Sequence, residues 1–427
     1  MKKTIELHKR WKDDPSKGEV FTPEELVREM LDKIPTSVWE NPDSTFLDPC
    51  MGKGTFLIDI LRRLTTIYGY SKEAAMSRIY GYDVRVKYIN YLKRGGFKNV
   101  FHKDFLSEEF DMKFDVIIGN PPYQEVGATG DNKLYLRFIE KSINLVVENG
   151  YLSFVTPKKG IENILSKNKN RDYFPVKKKI SYLALDTPAR HFNVGSSFCY
   201  FLIQNNNDYD VKTNVEFIDK NNNIKSDKVN LYRFKKLPKS FDEVVLSILD
   251  KTVFCDGERF ELKTMMRPNG KNYFRIRKKQ VDTGVVKTEP TDEFNYIVYD
   301  TLKLKGNKFY YLNYPLSAHY DKKVLLSKGG SVPCPIYDSN GEFSGSDNLL
   351  YLKVDNDSEG ENFVNFVNSK LLNFLMDIMT KGSDMDFSWS ISNIKKIPLD
   401  LLSNNQSIYD FYGFTEIEIQ VIEEYGS

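Results

Sequence analysis

Apolar positions in the first half of the chain switch between two repeating patterns. Leu26, Val27, Met30, Leu31 and Ile34 recur at three- and four-residue intervals and predict a helix. It opens at Phe21-Thr22-Pro23-Glu24-Glu25-Leu26. Thr22 is placed to cap, Pro23 to take the first helical position, Glu25 to complete a capping box, and Phe21 with Leu26 to form a hydrophobic staple. Phe56, Leu57, Ile60, Leu61 and Leu64 predict a second helix, and the pattern over 133–147 a third. Between them lie short apolar runs of strand type at 45–47, 79–82, 100–102, 114–118 and 151–155, with two more at 181–185 and 197–203. Alternating strands and helices predict an α/β domain with a doubly wound, Rossmann-like sheet. Polar residues recur where these strands end, at Asp48, Asp83, Asp104 and Asn120, which is where open parallel sheets bind ligands.

After the polar run 204–208 the alternation stops. Shorter strand-like runs follow, separated by turn signals such as Asn340-Gly341, with one helical stripe at 362–378. The chain is therefore expected to divide into a domain of residues 1–208 and a second, mostly β (α+β) domain of residues 209–427.

Charge adds a third contrast. Over its 427 residues the chain carries 61 Lys and Arg against 59 Asp and Glu, but residues 211–280 hold 17 against 9 and residues 281–427 hold 12 against 22. A basic segment beside an acidic one fits a nucleic-acid face, and equally a solvated lysine-rich surface. Lys235, Lys236, Lys239, Tyr273, Arg275, Arg277, Lys278 and Lys279 are the DNA-contacting candidates within it, with Phe274 interleaved. No apolar run approaches the ~20 residues of a membrane span and the first residues lack an apolar signal core, so a cytoplasmic protein is expected. Four scattered cysteines and four scattered histidines make neither a disulfide framework nor a zinc site, and no metal is expected.

Two segments carry candidate chemistry. Asn120-Pro121-Pro122-Tyr123 follows a buried strand. Its prolines stiffen the backbone and remove two N–H donors, Asn offers a carbonyl acceptor, and Tyr offers a flat face with a polar tip. That set suits an exocyclic amine, although Asn-Pro also opens ordinary turns. Asp48-Pro49-Cys50-Met51-Gly52-Lys53-Gly54 is a Gly-x-Gly loop between strand and helix. It lacks the third glycine of the dinucleotide fingerprint. Asp83, ending the next strand, could accept two ribose hydroxyls.

Taken in order, these segments resemble the gamma-class DNA N6-adenine methyltransferases of restriction–modification systems and phages, over about residues 15–204. The resemblance implies S-adenosylmethionine as cofactor. It is similar to that family in placing Phe21, Thr22 and Pro23 at the methionine end of the cofactor, Asp48, Gly52 and Gly54 in the cofactor loop, Asp83 at the ribose, and Asp104 and Phe105 at the adenine. It implies that Asn120, Pro121, Pro122 and Tyr123 are catalytic and that Phe192 stacks on the flipped base opposite Tyr123. Where the family loop reads Asp-Pro-Ala-Cys-Gly-Ser-Gly, Cys50, Met51 and Lys53 stand here for Ala, Cys and Ser. The second domain would then read the sequence of double-stranded DNA. Residues 389–399 resemble the closing segment of such recognition domains, although their Ile and Leu positions also suit a core. A separate endonuclease would perform any restriction, and a monomer would suffice. Protein-glutamine or RNA-adenine methylation, or an inactive DNA-binding homologue, are the competing readings.

Overall fold

The computed structural model describes residues 21–123, 134–165, 179–186, 190–191, 198–208, 211–219, 221–234, 236–268, 270, 273–329, 333–380 and 387–425. The chain forms two compact units, Met1–Phe241 and Asp242–Ser427.

The first unit is built on one mixed sheet. Its strands are β1 (Phe46–Asp48), β2 (Ile79–Asp83), β3 (Val100–His102), β4 (Phe114–Gly119), β5 (Val146–Pro157), β6 (Lys179–Leu185), β7 (Phe198–Gln204), β8 (Thr213–Ile218) and β9 (Ile224–Val229), in the order β3-β2-β1-β4-β5-β7-β6-β8-β9. Strands β1 to β5 run parallel, and β7 is inserted antiparallel between β5 and β6. Order reverses between β1 and β4, so the crevice at their carboxyl ends is the place where such sheets take a ligand. The principal helices are α1 (Glu24–Asp32), α2 (Thr55–Thr66), α3 (Val86–Arg94), α4 (Leu134–Leu145) and α5 (Lys158–Leu165). Leu26, Val27, Met30 and Leu31 of α1 and Phe56, Leu57, Ile60 and Leu64 of α2 are buried in one core with Phe46, Ile79, Val116 and Ile118 from the strands.

Three expectations change here. The division between units falls at 241/242 and not at 208/209. The polar run 204–208 leads into β8 and β9, which extend the first sheet through the parallel β6–β8 pair. Lys236 and Lys239 therefore belong to the first unit and not to the second. Thr22 is not the cap of α1. Pro23 takes the N-cap position with φ −59° and ψ 146°, no side chain caps it, and its carbonyl accepts the Val27 N–H at 3.0 Å.

The second unit is α+β, with helix outweighing strand. One three-stranded sheet holds β10 (Tyr296–Thr301), β11 (Lys308–Leu312) and β14 (Phe343–Gly345). Another holds β12 (Lys323–Ser327), β13 (Ile336–Asp338) and β15 (Leu349–Lys353). The helical stripe expected at 362–378 is two helices, α7 (Asp357–Val367) and α8 (Lys370–Thr380), which join α6 (Glu243–Thr252) and α9 (Glu416–Glu423). Asn368 ends α7, and the Ser369 hydroxyl accepts the Leu372 N–H at 3.2 Å to start α8. Strand β12 separates two cores. Val324 and Leu326 pack with Phe363, Phe366 and Leu371, while Leu325 packs with Phe274, Val298 and Leu349. Alternation along a strand sends neighbours to opposite faces, and here both faces are buried. Ile391, Ile394 and Ile397 are fully buried, so the closing segment contributes core. Among the described residues, no helix is long and apolar enough to cross a membrane.

Candidate active site

Every parallel strand near the switch point delivers a polar group to the same edge. Asp48 ends β1 and is 1% exposed. Its carboxylate Oδ1 accepts the Cys50 N–H at 3.0 Å. Burial pushes its pKa up to about 8; the Cys50 N–H works against this and the nearby Asp83 adds to it. Gly119 explains how Asp48 reaches this position. A Cβ there would lie 2.7 Å from Asp48 Oδ1, so the last residue of β4 has to be glycine for the carboxylate to pass beneath the Asn120 loop.

Asp83 ends β2, also buried, and ties the glycine loop to the next one. The Gly52 N–H donates to its Oδ2 at 2.9 Å, and Arg85 donates to its Oδ1 from the backbone at 2.8 Å and from Nε at 3.1 Å. Gly52 and Gly54 both take left-handed φ values, 51° and 83°. At Gly54 an added Cβ would also lie 2.6 Å from Leu92, so the start of α2 and α3 pack backbone against side chain. Phe21 lies across this loop: a Cβ on Gly52 would meet its ring at 3.6 Å, and the Lys53 ammonium sits 4.6 Å from the ring centroid. Lys53 thus holds the aromatic ring of the N-terminal segment. Thr22 is buried beside it.

A cavity of about 360 Å³ opens at this edge. Pro49, Cys50, Asp83, Arg85, Asp104, Phe105 and Pro122 are among its walls. The volume is in the range of small-molecule and cofactor sites. Asp104 is exposed, and its carboxylate accepts the Leu106 N–H at 3.0 Å and the Ser107 hydroxyl at 3.1 Å. Phe105 is 2% exposed and stacked on Phe138 with centroids 5.5 Å apart, so it forms the floor and not a free stacking face.

The Asn120 loop follows β4. The Tyr123 hydroxyl donates to Asn120 Oδ1 at 3.0 Å, so the tyrosine occupies the acceptor that the sequence singles out. Its ring packs at 5.4 Å on Phe198, the first residue of β7, and edge-on at 6.3 Å to Tyr135. Burial holds the Tyr123 phenol far above its ordinary pKa, so it is a hydrogen-bond donor and not a phenolate. Pro121 is buried. Phe192 and Lys235 lie outside the described residues. The segment before Phe192 is anchored, since Arg190 donates to Glu29 of α1 at 3.0 Å and His191 Nε2 lies 3.1 Å from the same carboxylate.

In the second unit the candidates separate. Tyr273, Arg275, Arg277, Lys278 and Lys279 are exposed, but Phe274 is fully buried in the core with Val298 and Leu349. Arg275 is ion-paired with Asp347, and the Lys328 ammonium lies 5.9 Å from the Tyr273 ring. Lys278 and Lys279 begin a five-residue helix without a buried residue.

Residues 67–192 match the family model of the Eco57I restriction-modification methylase. The type II methyltransferase M.VspI of Vibrio sp. (strain 343) is 30% identical over 161 residues, 32% of this chain and 36% of that protein. The modification methylase CviBIII of Paramecium bursaria Chlorella virus NC1A is 31% identical over 162 residues, 34% of this chain and 39% of that protein. The chain thus matches little more than a third of the length of these relatives. The structure of the type IIL restriction-modification enzyme MmeI in complex with DNA is similar in fold, with a TM-score of 0.51 and 9% identity, covering 100% of this chain and 76% of that one. The fold is shared with that restriction-modification enzyme, and residues 67–192 are similar to the Eco57I restriction-modification methylases.

Proposed function

We propose that this chain is a site-specific DNA methyltransferase that moves a methyl group from S-adenosylmethionine to the N6 amine of an adenine turned out of duplex DNA, and that the second unit reads the sequence around it. One observation carries the reading. One cavity is lined by Pro49 and Cys50, which open the glycine loop, by Asp83, and by Pro122 of the Asn120 loop.

The residues present fit the cofactor. Gly52 turns its loop at left-handed φ and lends its N–H to Asp83 Oδ2, which keeps a lone pair for a ribose hydroxyl. Asp48, buried at the start of the same loop, adds a carboxyl group. When bound, S-adenosylmethionine supplies an electrophilic methyl group on a positively charged sulfur. The protein's task is to make a poor nucleophile available. An adenine amine has its lone pair delocalised into the ring. Asn120 Oδ1 and the Pro121 carbonyl accept its two hydrogens and draw the nitrogen out of conjugation, with Tyr123 against the base. The incoming amine takes over the acceptor that the Tyr123 hydroxyl holds at rest. Positioning and fixed dipoles supply the acceleration. Turning the base out costs a few kcal/mol of stacking, partly recovered on the aromatic face.

The same proposal has the protein acting as a monomer, with cleavage left to a separate endonuclease. The test is methylation-sensitive long-read sequencing of plasmid DNA from a host without methyltransferases of its own, with and without this gene. Adenine N6 modification within one motif is the expected result. Unmodified DNA beside protein that binds S-adenosylmethionine would overturn the reading in favour of RNA or protein glutamine.

A further inference from the structure

One ion pair of the second unit is built from the core outward. Asp300 is buried near the end of β10, and its Oδ1 accepts the Ser346 hydroxyl at 2.9 Å and the Asn348 side-chain amide at 3.0 Å. The Ser346 N–H donates to the Tyr299 carbonyl at 2.8 Å, and the Ser346 hydroxyl accepts the Asn348 N–H at 3.2 Å. These bonds fix the turn 346–348 directly after β14, with Asp347 at its middle. The Asp347 N–H donates to the Phe274 carbonyl at 2.8 Å, and its own carbonyl accepts the Lys328 ammonium at 2.7 Å. Phe274 is fully buried, so the residue before Arg275 is anchored in the same core. From this footing the Asp347 carboxylate reaches Arg275, whose Nε donates to its Oδ2.

The pair does little for stability. The Asp347 side chain is 9% exposed, but that of Arg275 is 59% exposed, and ion pairs that reach water are worth little. The other carboxylate oxygen, Oδ1, is buried with no hydrogen-bond donor among the described residues, which subtracts from the gain. What the pair sets is the direction of the arginine. With Nε engaged, Nη1 and Nη2 remain as a planar fork of donors, and neither has an acceptor among the described residues. Two acceptors side by side fit that fork. A phosphate presents them, and so does the major-groove edge of guanine through O6 and N7. The buried carboxylate decides between the two. It offsets the arginine's charge, which a phosphate responds to, and leaves its directional donors, which a base edge responds to.

We infer that Arg275 reads a guanine of the recognition sequence through its two Nη groups, and that Asp347 is its positioning residue, aiming the guanidinium from the turn that Asp300 holds. The inference rests on the proposed DNA substrate and goes beyond it by committing one residue to one base. Adenine sets a donor beside its N7, and cytosine and thymine lack the paired acceptors, so none of them takes both arms of the fork. The recognition motif must therefore contain a G·C pair whose discrimination depends on Arg275.

The test measures binding of the full chain to short duplexes bearing the motif found by sequencing, with each G·C pair replaced in turn by A·T. Arg275→Ala is expected to lose about 5- to 150-fold in affinity for the intact motif and to match wild type where the read pair is already replaced. Arg275→Lys keeps the charge without the fork and should behave like Arg275→Ala. Asp347→Ala frees the arginine's charge, so discrimination at that pair should fall while the slope of log affinity against log salt steepens by about 1. A merely structural aspartate would not move that slope. Arg275→Ala with Asp347→Asn removes the buried charge as well, and gives the readout if the single variant fails to fold. A motif without a G·C pair, no loss or an equal loss on every duplex, or rescue by Arg275→Lys as at a phosphate, would each overturn the guanine contact and leave the methylation standing. Wild-type discrimination in Asp347→Ala would overturn its positioning role. No methylation of any duplex by wild-type protein would overturn the proposed function and the guanine contact with it.

Discussion

Each unit buries a charge-bearing side chain near the end of a strand, and the two are treated in opposite ways. Lys323, at the start of β12, is fully buried. It is ion-paired with Asp338 and donates to the carbonyls of His319 and Asp321 at 2.7 and 2.9 Å. Asp338 in turn accepts the N–H groups of Glu342 and Phe343. Asp48, at the end of β1, has the Cys50 N–H and a second carboxylate nearby, and it retains its proton up to about pH 8. A charge with such a set of partners is part of the architecture. A buried acid beside another acid, with one N–H donor, lowers stability instead.

The comparison can be broken at four points. The largest effect is expected at Lys323. Lys323→Ala leaves Asp338 buried without its counter-ion and should cost about 3–5 kcal/mol in denaturant unfolding. Lys323→Met with Asp338→Leu should recover most of that, and a stable single variant would refute a structural role. At the other unit, Asn120→Ala should leave stability and cofactor affinity near wild type. It should lower single-turnover methyl transfer by about 10²–10³, the range for removing one preorganised polar contact. More than a few per cent of wild-type activity would remove Asn120 from the mechanism.

Asp48 sharpens the contrast through pH. Its ordinary pKa is 3.8 and its folded value about 8, so between those limits the folded state binds the extra proton and stability falls as pH rises. Asp48→Asn should flatten this slope, and the variant should melt above wild type at pH values beyond about 8. The same variant should bind S-adenosylmethionine more weakly. Parallel pH profiles of the two melting temperatures would show that Asp48 does not carry the slope. The smallest effect belongs to the exposed cations: Arg275→Glu with Arg277→Glu should weaken DNA binding at moderate salt, with a modest loss in melting temperature because the carboxylate at 275 then faces Asp347. Equal affinity in a salt titration would leave these arginines as solvated surface.

The site was legible in sequence where backbone geometry restricts the residue. Gly52 and Gly54 sit at left-handed φ and the prolines define the Asn120 loop, so each leaves a mark at a fixed place, whereas the need for Gly119 shows only once Asp48 lies against it. Strand-end acids were legible because a parallel sheet puts them on one edge. What stayed hidden depends on neighbours distant in sequence. Lys158 meets Pro238 across 80 positions, and no periodicity encodes that. The polar run 204–208 carried every sign of a linker, yet β8 beyond it returns to pair with β6. Phe274 shares its neighbourhood with Tyr273 and Arg275 in sequence, but strand-like alternation sends it inward and them outward. The helix break at Asn368-Ser369 was hidden because the apolar stripe runs on across it. Only the serine cap distinguishes two helices from one.

Strand β12 has a consequence for how the second unit comes apart. Its odd and even side chains hold separate cores, and Gly345 has no Cβ, which leaves room for Leu325 on one side. Neither core can loosen without exposing the back of the other. Amide protons along β12 should therefore be among the last to exchange with solvent, and a cavity cut on either side should be felt in a single cooperative transition. Phe274 belongs to one of those cores, so the exposed side chains of Tyr273 and Arg275 on either side of it are held by the same transition.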